Sequence, residues 1–306
     1  MATEHATLDW YGCATFRLRT PERLTVFLDA YLDRVPTAAQ SGVGVGDIDQ
    51  ADWILVGHSH FDHLFGAERI AVRTGATVVG SYETVRVLAA AGVPEKQLLA
   101  VSGSERIELD ETTSVRVLPG LHACAWSDRA VPEVDEHCLG DLGVPWHERT
   151  RRLTEGFWPA LQTLGDDVRT HLEDTAQGDR GDGGVLTYVI ETSGGTLLFQ
   201  DTVGCWSPLL GRERPDVAIL AAAGRGNLNG EPVQGSTAGF VAEQARWLHA
   251  RRVIPCHHDD WLPGLSTATD TAPIRRELDE TTGAELIDLD YASAYPLFRD
   301  LAEPTP

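Results

Sequence analysis

The stretch LVGHSHFDHLFG, Leu55–Gly66, holds three histidines and one aspartate within six residues, directly after an apolar run. The apolar run is typical of a buried strand, because it is short and ends at a glycine. Side chains two apart at a strand end point the same way, so His58 and His60 can bind one cation. Asp62 and His63 follow at the start of the next helix, where they can reach a second cation. Histidines also cap strands and cluster on surfaces, but four potential ligands so close together favour a metal site.

Three further candidate ligands each lie just beyond a predicted apolar strand: His122 in LPGLHA, Asp201 in LFQDT and His257 in VIPCHH. A layered sheet protein can bring such strand ends together at one cleft, even when they come from distant parts of the chain. Alone, each of them also fits an ordinary loop residue, and position does not separate His257 from His258. Imidazole and carboxylate together suit zinc, iron or manganese rather than calcium. The sequence therefore predicts two divalent ions, with Zn2+ as first choice and Mn2+ or Fe2+ as alternatives.

Composition indicates a globular protein that acts on small molecules. With 306 residues and 42% hydrophobic content, the chain can bury a large core. Its formal net charge of −21 repels polyanions, which argues against a nucleic-acid or anionic-membrane partner. The five cysteines show no C-x-x-C spacing, residues 1–20 lack the pattern of a signal peptide, and no apolar run approaches membrane-spanning length. We therefore expect a cytoplasmic protein with a small-molecule substrate. Assembly into a homo-oligomer is compatible with the sequence.

The order of predicted elements indicates an α/β layered protein. Residues 7–32 are predicted to form a hairpin of short strands, residues 52–57 a buried strand, and helices and strands then alternate up to residue 125. Between residues 126 and 184 the strand signal vanishes, and apolar residues at helical spacing predict a helical insertion or lid. Because strands resume on the far side, we expect one domain over residues 1–306 that contains this insertion.

Beyond the insertion, the sequence predicts a second strand-rich part. A turn at residues 193–195 predicts a hairpin, and Ser236 or Thr237 is the predicted N-cap of a helix. The segments at 284–289 and 293–297 are predicted to form the closing pair of strands.

In combination, HSHFDH, His122, Asp201 and His257 resemble the metallo-β-lactamase superfamily, whose H-x-H-x-D-H motif, later histidine, bridging aspartate and final histidine follow in this order. The resemblance covers roughly residues 1–125 and 184–300. It implies an α/β fold of four layers, an αββα sandwich, with the site at one edge.

The resemblance also implies how the ligands are divided between two ions. It assigns one ion to His58, His60 and His122, the other to Asp62, His63 and His257, and a bridging position to Asp201. It prefers His257 to His258 because VIPCH resembles the strand of the family that ends in Pro-x-His.

The segments WYGCATFRL, FLDAYL and RVIPCHHDDW resemble, more narrowly, the branch that contains ascorbate-6-phosphate lactonase. In this chain Gly12 and Cys13 stand where that branch commonly has Gly-His. The insertion is also longer than that branch leads us to expect. A lactonase-like substrate is therefore one expectation among several.

The predicted function is hydrolysis by a hydroxide that bridges two metal ions, because the ions lower the pKa of a shared water toward neutrality. Asp62 and Asp201 are the candidate catalytic residues, since they would orient that hydroxide and accept its proton. The expected substrate is a small ester, lactone or phosphoester. Two alternatives stay open: a nucleic-acid-processing metallonuclease of the same superfamily, and a di-iron redox protein. The resemblance to the di-iron branch is weaker, because its pattern has Glu where this chain has His60.

Candidate substrate contacts lie outside the ligand motif. They are Trp126, Trp206, Arg225, Asn227 and Trp261. Arg225 and Asn227, with Asn229, lie in GRGNLNG and can bind a phosphate, carboxylate or hydroxyl group, although Gly/Asn-rich loops are often simple turns. Aromatic residues of the insertion can wall a pocket or only pack the insertion onto its domain. The cysteines, Cys13 among them, fit packing better than a ligand or redox role.

Overall fold

Strands and short helices alternate through the N-terminal part of the chain, as predicted. The structure, a computed structural model, describes residues 5–126, 145–175, 181–233 and 235–301. The strands up to residue 126 are β1 (Thr7–Trp10), β2 (Phe16–Arg19), β3 (Thr25–Leu28), β4 (Trp53–Leu55), β5 (Thr77–Gly80), β6 (Leu98–Ala100), β7 (Arg106–Glu108) and β8 (Ser114–Pro119). The helices are α1 (Phe61–Leu64), α2 (Ala67–Thr74) and α3 (Tyr82–Ala90), with 3-10 turns at Val45–Asp47 and Glu95–Gln97.

The predicted insertion is helical over the residues that the structure describes. It contains α4 (Trp146–Arg152), a π-helical turn (Leu153–Phe157), α5 (Trp158–Leu161) and α6 (Asp166–Asp174). Residues 127–144 and 176–180 of the predicted insertion lie outside the described residues. Helix α6 buries Val168 in one apolar cluster with Tyr31, Phe61 and Trp261. The insertion therefore rests on the part of the domain that contains the histidine motif.

Strands resume at residue 186. They are β9 (Leu186–Thr192), β10 (Gly195–Gln200), β11 (Gly204–Cys205), β12 (Val217–Ala221), β13 (Asn227–Leu228), β14 (Glu231–Pro232), β15 (Arg252–Cys256), β16 (Glu285–Leu286) and β17 (Tyr295–Pro296). The helices of this part are α7 (Ser207–Leu210), α8 (Thr237–Leu248) and α9 (Ala272–Thr281). Of the two predicted caps, Ser236 is the N-cap of α8, because its side chain accepts a hydrogen bond from Gly239 N.

Two seven-stranded sheets form the centre of the fold. The first has the order β17-β1-β2-β3-β4-β5-β6, and the second β16-β15-β12-β10-β9-β8-β7. Each sheet has an antiparallel half and a parallel half. The parallel strands are β3, β4, β5 and β6 in the first sheet and β10, β12, β15 and β16 in the second. The carboxyl ends of parallel strands share one edge of a sheet, which is where α/β proteins place their ligands.

The layers follow from the alternation of side chains along the strands. In β3, Val26 and Leu28 join the apolar core that the two sheets share, whereas Phe27 joins a separate cluster with α2 and α3. On the other side, Phe240 of α8 and Leu278 of α9 extend the shared core over the second sheet. Helices therefore cover both outer faces, and the predicted four-layer α/β sandwich is confirmed.

Both closing strands are present, and they belong to different sheets: β16 pairs with β15 in the second sheet, and β17 pairs with β1 in the first. The N-terminal hairpin is a three-stranded meander instead, because the backbone turns between β1 and β2 through Gly12 (φ 89°) and Cys13 (φ 47°). Short segments of similar composition do not specify their partner strand or an internal turn.

The GRGNLNG segment also differs from the simple loop that was predicted. Asn227 and Leu228 form β13, the middle strand of a small sheet with the order β11-β13-β14. The backbone of this segment is therefore held by pairing with two neighbouring strands.

Among the helices that the structure describes, none combines the length and the apolar character that crossing a membrane requires.

Candidate metal centre

The predicted ligands converge at the edge where strands from both sheets end. His58 follows β4, Asp201 follows β10 and His257 follows β15 directly. Gly57 precedes His58, and a Cβ there would lie 2.1 Å from Asp201 Oδ2. Only glycine fits at this position, because the Asp201 carboxylate occupies the space that a side chain of residue 57 would need.

The first cluster consists of His58, His60 and His122, whose ligand atoms lie within 4.8 Å of one another. His58 Nε2 and His60 Nδ1 are 3.1 Å apart. His122 donates from Nδ1 to the Ala123 carbonyl oxygen at 2.9 Å, which leaves Nε2 as its ligand atom. Three imidazoles on one small volume are a typical donor set for zinc with an open position.

The second cluster consists of Asp62, His63, His257 and Cys13, which also offer ligand atoms within 4.8 Å of one another. Asp62 Oδ2 is the central atom, 3.2 Å from His63 Nε2 and 3.1 Å from His257 Nε2. The Cys13 sulfur lies 4.0 Å from the same oxygen. His257 has a left-handed backbone (φ 60°), and its N–H donates to the Cys13 carbonyl at 2.8 Å. The loop at Cys13 and the end of β15 are thereby joined.

Asp201 lies between the two clusters. Its Oδ2 is 2.6 Å from His58 Nδ1 and 3.3 Å from His63 Nδ1. These are the ring nitrogens that do not face the cluster partners, so Asp201 contacts the histidines from behind. The bridging role that the resemblance implies stays a prediction.

Burial and crowding set the charges in both clusters. Burial and the neighbouring histidines hold the pKa of His58 and of His60 well below the ordinary value, so both rings are neutral and have a free lone pair. For Asp62, burial acts to raise the pKa, yet the adjacent His63 and His257 hold it well below the ordinary value. For His63, burial acts to lower the pKa, but the carboxylates of Asp62, Asp29 and Asp201 hold it well above the ordinary value. Metal ions bind neutral imidazole and ionised carboxylate, so the extra proton of His63 would leave when an ion binds.

The sequence did not single out Asp29, which follows β3 in FLDAYL. It is fully buried, accepts a hydrogen bond from His63 Nδ1 at 2.7 Å and another from Gly57 N at 2.8 Å. Burial raises the pKa of Asp29 to about 7, against the opposing effect of His63. A carboxylate behind a metal-binding histidine fixes the tautomer and the direction of the ring. The one feature of the sequence that could have indicated Asp29 is its position at the carboxyl end of a strand, like the candidate ligands.

Replacing Asp29 with asparagine should weaken metal binding in the second cluster by roughly 10–100-fold, because His63 loses the carboxylate that orients it. Competition with a chromogenic chelator measures this affinity. Asp52→Asn is a matched control, since Asp52 accepts a hydrogen bond from Thr25 N at the opposite end of the same two strands. Equal affinities for wild-type protein and the Asp29 variant would contradict the assignment.

The predicted substrate contacts fall into different places. Trp261 is buried, with its ring centroid 5.0 Å from that of His257, so it borders the second cluster. Trp126 stacks on the Arg149 guanidinium at 4.1 Å and thus contacts α4. Trp206 is 38% exposed at the start of α7. Of the three tryptophans, only Trp261 has a ring contact with a ligand histidine.

The polar candidates act on the backbone around His122. Asn227 donates from Nδ2 to the His122 carbonyl at 3.1 Å, and its Oδ1 accepts from Gly230 N. The Arg225 carbonyl accepts a hydrogen bond from Cys124 N at 2.9 Å. Both ends of the Asn227 amide are therefore occupied, and its contacts hold the His122 loop rather than face a ligand. The Asn229 amide is likewise occupied, by Ser207.

His258, which position alone did not separate from His257, lies outside the clusters. Its ring stacks on Trp10 at 4.6 Å, and its Nε2 is 3.6 Å from Asp288 Oδ1. Of the insertion aromatics, Trp146 is 81% exposed and Trp158 is 41% exposed. These two side chains do not wall a closed pocket.

The residues of the centre fit divalent cations. Asp201 is fully buried, and its Oδ1 has no hydrogen-bond partner among the described residues. Leaving a buried carboxylate oxygen unsatisfied is costly, and a cation would satisfy it. The two donor sets contain only imidazole, carboxylate and thiol, which suits zinc and its neighbours in the first transition row.

Comparison with known proteins gives relatives over part of the chain, and no protein-family profile matches it. A "UPF0173 metal-dependent hydrolase" of Anaeromyxobacter dehalogenans is 40% identical over 88 residues, 29% of this chain and 31% of the relative. Proteins of the same description from Rubrobacter xylanophilus and Pyrobaculum islandicum are 36% identical over 100 residues and 32% identical over 140 residues, covering 33% and 44% of this chain. The chain covers 40% and 61% of these two, and so less than two thirds of each of the three relatives.

Solved structures match over nearly the whole chain. The metallo hydrolase Igni18 of Ignicoccus hospitalis has a TM-score of 0.59 at 13% identity, covering 94% of this chain and 96% of its own. The metallo-beta-lactamase fold protein YhfI of Bacillus subtilis has a TM-score of 0.54 at 9% identity, covering 95% and 98%. The diiron β-hydroxylase CmlA of Streptomyces venezuelae has a TM-score of 0.57 at 16% identity, covering 95% of this chain and 53% of its own. The two sheets and these likenesses together show that the chain has the metallo-β-lactamase fold.

Proposed function

We propose that the chain is a metal-dependent hydrolase that holds two divalent ions, with zinc first, and acts on a small ester, lactone or phosphoester. The observation that carries this proposal is the pair of adjacent donor clusters, one of three imidazoles and one around Asp62. The buried Asp201 carboxylate contacts one histidine of each cluster. The metal-dependent hydrolases among the relatives agree with it.

When bound, two divalent ions supply Lewis acidity, which lowers the pKa of a water molecule and polarises a substrate oxygen. The chain's own residues supply positioning and proton transfer. Asp62 lies at the centre of its cluster, so its carboxylate can accept a hydrogen bond from a water molecule, orient it and take up its proton. Asp201 keeps the His58 ring in place through Oδ2.

The surroundings favour a small and partly apolar substrate. Phe61 and Trp261 lie against each other beside the second cluster, with ring centroids 6.0 Å apart, and both are buried. Apolar side chains at this position exclude water from the polar centre and strengthen its electrostatic interactions. With a net charge of −21, long polyanions are disfavoured.

The proposal extends to the location of the protein. Cys13, Cys205 and Cys256 are buried free thiols, which fits a reducing compartment such as the cytoplasm.

A substrate panel with defined metal content tests the proposal. Purified protein is loaded with zinc, and lactones, carboxylic esters and phosphodiesters are compared, with chelator-treated protein as the control. We expect near-stoichiometric zinc and turnover of one class that the chelator abolishes. Protein that takes up no transition metal, or activity that survives chelation, would refute the proposal.

The alternatives give different results in the same experiment. A metallonuclease would cleave RNA or DNA with a rate that falls steeply as salt rises, because phosphate contacts depend on salt. A di-iron redox protein, as CmlA is, would be coloured when loaded with iron and would react with oxygen. The pattern of the redox branch has Glu at the second position of the motif, whereas this chain has His60 there. This difference favours hydrolysis.

A further inference from the structure

Cys13 is the one member of the second cluster that the proposed function leaves without a role. Its side chain is fully buried, and its sulfur lies within 4.8 Å of ligand atoms of Asp62, His63 and His257. Cysteines that only pack are surrounded by apolar groups, as Cys205 is in the shared core. Cys13 also packs in an apolar cluster, with Phe61 and Trp261, but its sulfur has in addition a carboxylate oxygen of Asp62 at 4.0 Å.

The backbone at Cys13 is fixed on both sides. The residue has a left-handed conformation (φ 47°), which is uncommon for a residue with a side chain. Its N–H donates to Asp259 Oδ1 at 2.9 Å, and its carbonyl accepts from His257 N at 2.8 Å and from Trp10 Nε1 at 3.1 Å. A strained conformation persists only where its surroundings fix it. The surroundings here hold the sulfur toward Asp62.

The loop is anchored further back by a buried ion pair. Arg34 Nη1 donates to Asp259 Oδ2 at 2.7 Å, and Arg34 Nη2 donates to the Tyr11 carbonyl at 2.5 Å. Gly12 lies directly on this guanidinium, since a Cβ there would be 1.8 Å from Arg34 Nη2. Tyr291 donates its hydroxyl proton to the same carboxylate at 2.8 Å. A buried network of charged and polar groups thus fixes the position of the short turn at Gly12 and Cys13.

We propose that the Cys13 thiolate is the fourth protein ligand of the metal ion in the second cluster, beside Asp62, His63 and His257. This inference rests on the proposed function, because it requires that the centre binds metal. When the metal–sulfur bond forms, the S–H bond breaks and the proton leaves to solvent. Nothing is oxidised or reduced in this step.

A thiolate in one cluster makes the two sites chemically different. With the thiolate, the second cluster has four protein donors, so a water molecule or substrate oxygen there would take a fifth position, whereas the three histidines of the first cluster leave one of four positions open. Thiolate is a soft ligand that selects zinc over manganese or magnesium. We therefore expect the second site to prefer zinc and cobalt(II) to manganese(II).

Cobalt(II) loading of the full chain tests the inference, because thiolate ligation gives an intense charge-transfer band in the near ultraviolet. We expect this band in wild-type protein, its loss in Cys13→Ser and its retention in Cys205→Ala. We also expect the dissociation constant of one of the two ions to rise in Cys13→Ser by roughly 10–100-fold or more, since loss of a group behind a ligand already costs that much. Two bound cobalt ions without the band, or a band that survives in Cys13→Ser, would overturn the inference and leave the proposed function intact.

Zinc-edge X-ray absorption of the wild-type protein gives an answer that does not depend on the variants folding. A thiolate ligand contributes a zinc–sulfur distance of about 2.3 Å, separate from zinc–nitrogen distances of about 2.0–2.1 Å. With both sites filled, we expect an average of half a sulfur per zinc. A spectrum with nitrogen and oxygen neighbours alone would refute the inference, and a protein that binds neither zinc nor cobalt would refute the proposed function as well.

Discussion

Replacing Asp62 with asparagine should lower the turnover of the best substrate by roughly 10²–10⁴-fold, the usual contribution of a positioned proton acceptor. The amide keeps the size of the side chain but cannot accept the proton, and it loses the negative charge that faces His63 and His257. Because Asp62 is also a candidate ligand, the metal content should fall at the same time. Steady-state kinetics and elemental analysis of the same preparation measure both effects.

Asp49→Asn is the control for this prediction. Asp49 is exposed and precedes β4, so its replacement should leave both metal content and turnover unchanged. An Asp62→Asn protein with normal metal content and normal turnover would remove Asp62 from the catalytic centre.

Replacing Arg34 with alanine should lower the free energy of unfolding by about 3–5 kcal/mol, because breaking a buried ion pair leaves an uncompensated charge. The Arg34 side chain is 1% exposed and that of Asp259 is 7% exposed. Loss of the guanidinium also frees the turn that carries Cys13, so cobalt binding in the second cluster should weaken in parallel. Chemical denaturation followed by circular dichroism measures the stability.

The matched control is Arg86→Ala, which breaks an exposed pair with Glu83 and should have no measurable effect. The pH dependence gives a second check. Burial acts to raise the pKa of Asp259, but Arg34 outweighs it and holds the pKa below the ordinary value. The stabilisation is therefore complete above the ordinary aspartate pKa and is lost as pH falls through the depressed one. The difference between wild type and Arg34→Ala should shrink in acid, and a difference that grows there would contradict this origin.

The candidate ligands could be identified from the sequence because they obey a local rule. Each follows a recognisable apolar strand, and the spacing of His58, His60 and His63 needs no knowledge of distant parts of the chain. The division of the histidines between two ions comes from the resemblance and stays a prediction; two of the groups of neighbouring ligand atoms agree with it, and a third joins His58, His63 and Asp201. The sandwich follows from the same strands, whose apolar faces need cover on both sides.

The rest depends on contacts between distant segments. Nothing in WYGCATF shows that the backbone turns at Cys13, because a left-handed residue without glycine is imposed by its surroundings. Asp29 resembles any aspartate after a strand until His63 is found beside it. The direction of Asn227 also could not be predicted, since its partners are backbone groups of two other loops.

The second cluster takes its members from residue 13, residues 62 and 63, and residue 257, and so from the beginning and the end of the described chain. An ion bound there is a cross-link that only the folded chain can assemble, between segments that fold into different sheets. Its binding energy adds to the stability of the native state, by about 2.7 kcal/mol when the free ion is at 100 times its dissociation constant. If the proposed zinc ion binds there, the stability of this protein should follow the free zinc concentration, and a chelator should lower its free energy of unfolding.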